Sequence, residues 1–417
     1  MHSFLISSLN CSKIKGRILL TLIIFMWAGL FWSRALLSVS TGLFLSYALF
    51  FSGQAGVKEV LGSIWLKAMV ILFLIPLLSG IWSADIRTWM MIMFDKLPLL
   101  LFPFTIPAFR EVYNLFKDKL LHLLIGFLLL SILYSIWVYF SIPDISSVYL
   151  KAKVLKVWMQ DDHVRYSLLL LIALAWVIQN YLIDTTEKSR RWIGIFLIMI
   201  SGLFIHILAT KTGILGFYIL MILLGIYKAK GLFRVGFIAA IFSLPVLSWF
   251  LIPSFQSRLR FVLWDFQNYS RGGYIEGLSD TPRVLSWQAG LDVFSKNIFM
   301  GVGAGDVKQS VIHWYSSHTP FLRDYEKLLP ANEVLFYACL GGLLSGIVML
   351  MGLVLPFFCK HRRNFLWIAF HVLFFMISMY EISLETQYGI FLYAFFGVLF
   401  FTISSPDHTS SRSSIAR

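Results

Sequence analysis

Arg283 closes the stretch Asp280-Thr281-Pro282-Arg283, which reads as a helix start: a capping Asp or Thr, then Pro in the first turn. Val284, Trp287, Leu291 and Phe294 follow at three- and four-residue steps. That spacing predicts a helix running to about Asn297 with one apolar stripe. A cation in the first turn is opposed by the helix dipole by ~0.3–1 kcal/mol. The placement makes chemical sense where the guanidinium and the free amides of the first turn face an anion such as a phosphate. The alternative is a solvated Arg283, or one paired with Asp280 or Asp265.

Other cations invite the same chemistry. Arg258 and Arg260 directly follow an apolar block, where they either snorkel at a membrane surface or meet a lipid-linked phosphate. Lys211 lies in Thr210-Lys211-Thr212-Gly213, between two further blocks, and Arg165 ends a segment that also carries Lys151, Lys153, Lys156, Asp161, Asp162 and His163. Asp95 and Lys96 are adjacent inside one block, where each charge is costly unless paired, and they are expected to neutralise one another. Glu381 and Glu385 flank the last turn, and Glu385 reads as the partner of an outward-facing Arg. His206 reads as a satisfied core histidine. The run Gly301, Gly303, Gly305 has no strand before it and no βαβ frame, so it predicts a tight turn and not a nucleotide loop. Cys11, Cys339 and Cys359 suggest no pairing, and the scattered Cys and His suggest no metal site.

The elements that must carry these residues follow from composition. Of 417 residues, 59% are hydrophobic and 13% charged, and the mean hydropathy is +0.79. Soluble domains run at ~45–50% apolar and ~25% charged, so a soluble enzyme, a disordered chain and a disulfide scaffold are excluded. Apolar blocks fall at 18–31, 35–51, 64–82, 89–109, 121–140, 167–183, 192–209, 213–227, 233–252, 334–358, 365–380 and 389–403. A helix needs ~20 apolar residues to cross the hydrocarbon, so the expected fold is an all-α polytopic membrane protein of about 12 transmembrane helices. Residues 1–252 carry helices 1–9, 253–330 form a large helical loop domain, 331–403 carry helices 10–12, and 404–417 read as a disordered tail. The first block is read as a retained helix and not as a cleaved signal peptide.

The net charge of +14 divides by place. With the N-terminus cytoplasmic, 18 Lys and Arg fall in inside segments, whereas the short outside loops hold only Arg34, Arg87 and Lys211. Both termini are then inside and the loop 253–330 faces the periplasm. Long outside loops escape the charge rule, so Arg258, Arg260, Arg271, Arg283 and their neighbours need another cause.

Arg283-x3-Trp287-x-Ala289, continuing through Asn297-x3-Gly301-Val302-Gly303, resembles the O-antigen ligase family, as does the long loop between helices nine and ten. The resemblance is specific between Arg258 and Gly346 and weak over the first 150 residues. It implies a metal-independent, inverting membrane glycosyltransferase without cofactor. The donor would be an undecaprenyl-pyrophosphate-linked glycan and the acceptor lipid A–core, at the periplasmic face of the bacterial inner membrane. Arg283 would match the family's loop arginine. Arg260, slightly preferred over Arg258, would match the arginine after helix nine, and Lys211 would stand where the family has Arg, keeping the charge but losing the bidentate fork. Arg165, Trp287 and Asn332 complete the implied substrate-binding set.

One motif fails. The family's Pro-His-Asn-x-x-Leu reads here Pro330-Ala331-Asn332-Glu333-Val334-Leu335. The frame is intact and the His is Ala331, which transfers no proton. In the family that His is thought to activate the acceptor hydroxyl, a role contributing ~10²–10⁴-fold. Either the chain naturally lacks the group or it is an engineered inactive variant, and the intact frame favours the second. His313, His318, His163 and Glu333 are alternative bases, for each of which a surface or structural role is the simpler reading. An O-antigen polymerase, or a lipid-linked oligosaccharide transporter or binding relative without catalysis, are the rival expectations. Membrane lipids are expected partners and nucleic acid is not.

Overall fold

The computed structural model describes residues 2–141, 155–228, 230–270 and 280–404. Lys151, Lys153, Arg271 and the tail 405–417, each named above, lie outside the described residues. The described residues are 85% helix, with no strand among them.

Every predicted apolar block overlaps a helix, but the block 89–109 divides between the helix Ile86–Leu101, a 3-10 turn at Phe102–Thr105 and the helix Ile106–Ser141, which also carries the block 121–140. The helices are α1 (His2–Trp32), α2 (Arg34–Gly62), α3 (Ile64–Ser79), α4 (Ile86–Leu101), α5 (Ile106–Ser141), α6 (His163–Val177), α7 (Lys188–Leu208), α8 (Lys211–Lys228) and α9 (Gly231–Leu251). Three follow in the predicted loop: α10 (Pro253–Ser270), α11 (Thr281–Lys296) and α12 (Val307–His318). The last are α13 (Glu333–Val354), α14 (Phe365–Ser378) and α15 (Gln387–Phe391), which runs through a π-turn, Leu392–Phe396, into α16 (Gly397–Ile403). Among the described residues, eight helical stretches are long and apolar enough to cross a membrane; one of them, Ile86–Ser141, runs 56 residues through α4, the 3-10 turn at Phe102–Thr105 and α5, which is kinked at Phe116. Residues 64–79, 365–378 and 387–403 form shorter apolar helices.

α6 is the axis of the bundle: Arg165 to Val177 are all buried, and α8 and α14 pack on it. α9 is its opposite, with 11% of its most apolar window buried. A helix apolar on all sides suits either a core or a lipid-facing rim; α6 lies in the core and α9 is exposed at the edge of the bundle.

α13 is broken at Gly341–Gly342, where Gly342 adopts φ 76°. The loop after α11 enters this break: the Val302 and Gly303 amides donate to the Cys339 and Leu340 carbonyls at 2.8 and 2.9 Å, and the Leu343 amide donates to Ile298 at 2.7 Å. A Cβ on Gly342 would lie 2.2 Å from the Phe299 oxygen. The predicted turn at Gly301–Gly305 is thus a backbone-on-backbone clasp. On its far side Asp306 accepts from the Ala84 and Asp85 amides at 2.6 and 3.0 Å, fixing the clasp to the loop after α3.

Candidate functional site

α11 begins at Thr281 as expected, and Pro282 occupies its first turn. Asp280 does not cap it with its side chain. Instead its carboxylate accepts from Lys211 at the start of α8 and from the Tyr380 hydroxyl at 2.8 Å. Behind it, Asp265 of α10 accepts from the Asp280 amide at 2.8 Å and the Thr281 hydroxyl at 2.7 Å. Lys211 and Tyr380, distant in sequence, thereby converge on the first turn of α11.

Arg283 pairs with Glu381, in the turn after α14, through both Nε and Nη2. Its guanidinium carbon also lies 4.8 Å from the centre of the Tyr380 ring, within cation–π range. The sequence offered Asp280 or Asp265 as its partner, and the structure gives Glu381. Arg258 is half-buried and shares the electrostatic neighbourhood of Asp280, Arg283, Tyr380 and Asp265. Arg260 is exposed, with its guanidinium 5.6 Å from the Trp249 ring. Of the two arginines after helix nine, Arg258 therefore joins the cluster and Arg260 does not.

The electrostatics bind the cluster together. Burial opposes the charge of Asp280, but Lys211, Tyr380 and Arg283 outweigh it and hold its carboxyl below the usual carboxylate range. Burial likewise disfavours the Arg283 cation, and Glu381 with Tyr380 overcompensates. For Arg258 burial dominates and lowers its proton affinity despite Asp280. Three cations (Lys211, Arg258, Arg283) face three carboxylates (Asp265, Asp280, Glu381), so a ligand anion must compete with carboxylates already in place.

Ala331 lies beside this cluster and is 3% exposed. Its amide donates to Ser286 Oγ at 3.0 Å and its carbonyl accepts from Trp287 Nε1 at 2.8 Å, so α11 holds the position from both sides. Asn332 caps α13 by accepting from the Leu335 amide at 2.9 Å, and its Nδ2 donates to the Met379 carbonyl at 3.1 Å. Arg165 is buried behind the same turn, donating to the Ile382 carbonyl at 3.3 Å and lying 3.7 Å from Asp162.

Two expectations about intramembrane charge are corrected. Lys96 does not neutralise Asp95, which is exposed on the other face of α4. It pairs with Glu385 and donates to the Leu384 carbonyl at 3.0 Å and the Tyr337 hydroxyl at 3.2 Å. Glu385 is accordingly the partner of a buried Lys and not of an outward Arg. Glu333, also fully buried, accepts from the Leu384 amide at 3.3 Å. Both exchanges have one cause: α4 presents Lys96 to the interior and Asp95 away from it, because adjacent helical residues face different ways.

Among the alternative bases, His313 and His318 are exposed on α12. His206 is satisfied as expected, with Nδ1 2.7 Å from the Gly202 carbonyl and Nε2 2.7 Å from the Tyr218 hydroxyl.

Two apolar grooves lie between helices that also carry cluster residues, α8 with Lys211 and α11 with Arg283. One of about 470 Å³ runs between α7, α8 and α9, lined by Met199, His206, Phe217, Phe237, Leu247 and Ile252 among others. The other, about 480 Å³, lies between α11 and α13 and is lined by Trp287, Leu291, Phe294, Asn332 and Met379 among others. Trp287, Leu291 and Phe294 of the predicted α11 stripe face this groove. The buried face of α11 is Leu285, Ser286, Ala289, Gly290 and Val293.

Sequence reading passed over Tyr380, which ends an apolar block and reads as an interfacial aromatic, yet it joins Asp280 to Arg283. The chain matches no protein-family model and no curated protein.

Proposed function

We propose that this chain is an O-antigen ligase-like membrane glycosyltransferase that takes a glycan from a polyprenyl pyrophosphate donor. The observation that carries the reading is the meeting of Lys211, Arg258 and Arg283, from α8, α10 and α11, beside the Ala331–Asn332 frame. Charge-assisted bonds from fixed cations suit a pyrophosphate, whose developing negative charge they neutralise as it departs. The groove between α7, α8 and α9 supports the lipid half of the donor. It is almost wholly apolar and ends at Ile252, next to the start of α10. The expected setting is the bacterial inner membrane, with about twelve spans, both termini cytoplasmic and α10–α12 in the periplasm. Lipid A–core is the acceptor the resemblance implies.

In this reading Asp280 and Glu381 hold the cations until the donor arrives, and the pyrophosphate takes over their bonds. Trp287 and Ser286 fix position 331, where a His would face the acceptor. The reading is tested by reconstituting the Ala331→His variant with undecaprenyl-pyrophosphate glycan and lipid A–core. Ligation is expected, and Arg283→Ala in the same background should lose it. Chain growth on the donor indicates a polymerase, and passage across the bilayer without transfer indicates a transporter.

A further inference from the structure

Resting on the reading above, we propose that Glu381 is the base that accepts the acceptor hydroxyl's proton in this chain, once the donor pyrophosphate has taken Arg283 from it. The hydrogen-bonding of the neighbouring carboxylates singles Glu381 out. Asp280 keeps the Tyr380 hydroxyl even after the pyrophosphate has taken Lys211 from it. Asp265 is fully buried and engaged by the Asp280 amide and Thr281. Glu333 is fully buried, and Glu385 is tied to Lys96, so neither reaches a substrate. Glu381 keeps a partly open side chain, 14% exposed, and both guanidinium bonds it accepts fall on Oε1. The group that holds it is thus the group that a pyrophosphate would claim.

Its backbone is anchored on both sides. Asn332 holds the Met379 carbonyl, Tyr380 reaches Asp280, and Arg165 holds the Ile382 carbonyl. Further along, Glu333 accepts from the Leu384 amide and Lys96 donates to the Leu384 carbonyl. Release of the side chain therefore need not move the turn. Asn332, the residue after Ala331, makes the first of these bonds, so Glu381 stands on the segment packed against the position where the family has its His. Met379, two residues earlier, lines the groove shared with Trp287 and Asn332.

The step balances. The acceptor oxygen forms its bond to the anomeric carbon while the bond from that carbon to the pyrophosphate oxygen breaks. The electron pair leaves on the lipid pyrophosphate beside Arg283 and Lys211, and the hydroxyl proton passes to the Glu381 carboxylate. Ala331 then describes a natural chain whose base has changed segment.

The test uses the full chain in lipid nanodiscs, measuring undecaprenyl pyrophosphate binding and glycan transfer for wild type, Glu381→Gln, Glu381→Asp and Arg283→Ala. Glu381→Gln should bind no more weakly than wild type, since a competing carboxylate is gone, while kcat falls about 10²-fold or more. Glu381→Asp should recover part of that loss, and adding Ala331→His to Glu381→Gln should restore transfer. A Glu381→Gln chain that transfers at the wild-type rate overturns the proposal. So does one that loses binding together with transfer, which would make Glu381 structural. A wild-type chain that binds donor but transfers only after Ala331→His also overturns it. If wild type and Arg283→Ala bind alike, the glycosyltransferase reading itself fails, an outcome distinct from the other three.

Discussion

Arg283 and Glu381 lie 98 positions apart in the sequence and form an ion pair across the mouth of the bundle, the Arg283 Nε sitting 3.2 Å from Glu381 Oε1. This pair locks α11 to the turn after α14. It also makes the candidate anion site formally neutral, so specificity depends on whether a ligand offers better geometry than a carboxylate. A pyrophosphate does, because it spans two cations at once whereas Asp280 and Glu381 each hold one.

Lys96 should be the most sensitive buried charge outside that site. Removing one partner from a buried ion pair costs about 3–5 kcal/mol, and Lys96→Met would leave Glu385 and Glu333 facing each other without a cation. A large fall in the thermal midpoint in detergent is expected, with more than half of it recovered in Lys96→Met/Glu385→Gln. A single variant as stable as wild type would contradict the assignment.

Gly342 should tolerate no side chain. Its backbone lies in a region that L-residues rarely adopt, and an added Cβ would meet the Phe299 oxygen at 2.2 Å. Strain of this kind costs about 1–3 kcal/mol before the clash is counted. Gly342→Ala should therefore unfold at markedly lower temperature. Gly42→Ala, with nothing within 4 Å of the new Cβ, should stay within about 0.5 kcal/mol of wild type.

His361, in the turn between α13 and α14, predicts a pH dependence. Burial, reinforced by Lys360, lowers its pKa from 6.5 to about 4. The unfolded chain then binds a proton that the folded chain refuses, so His361 favours folding fully above pH 6.5, and that contribution is lost as pH falls toward 4. Thermal midpoints at pH 7.5 and 5.0 should diverge more in wild type than in His361→Phe. Equal divergence would remove His361 as the cause.

Much of the fold was legible because a bilayer imposes a length: each apolar block overlaps a helix, although the block 89–109 divides between α4 and α5. The break in α13 was not, since Gly341–Gly342 reads only as small residues until a loop is seen inserted there. Nor was the buried face of α11. Hydrophobic periodicity selected Val284, Trp287, Leu291 and Phe294, yet the close contact is made by Ser286, Ala289 and Gly290. Close helix approach selects small residues, which carry little hydrophobic signal. A Cβ on Gly290 would meet Pro330 at 2.8 Å. In the site, the type of each cation was legible but its partner was not. Glu381 and Glu385 are one helical turn apart in sequence, and only the direction each faces decides that one meets Arg283 and the other Lys96.

The central claim, that the outward cations form a lipid-pyrophosphate site, is tested most directly by undecaprenyl pyrophosphate binding to the full chain in nanodiscs. Wild type is compared with Arg283→Ala and Arg260→Ala. Loss of a charge-assisted bond of about 1.5–3 kcal/mol predicts a Kd raised about 10- to 100-fold for Arg283→Ala. Arg260→Ala, whose side chain sits over Trp249 away from the cluster, should bind as wild type does. Unchanged affinity in Arg283→Ala, or a loss that follows Arg260 instead, would contradict the account.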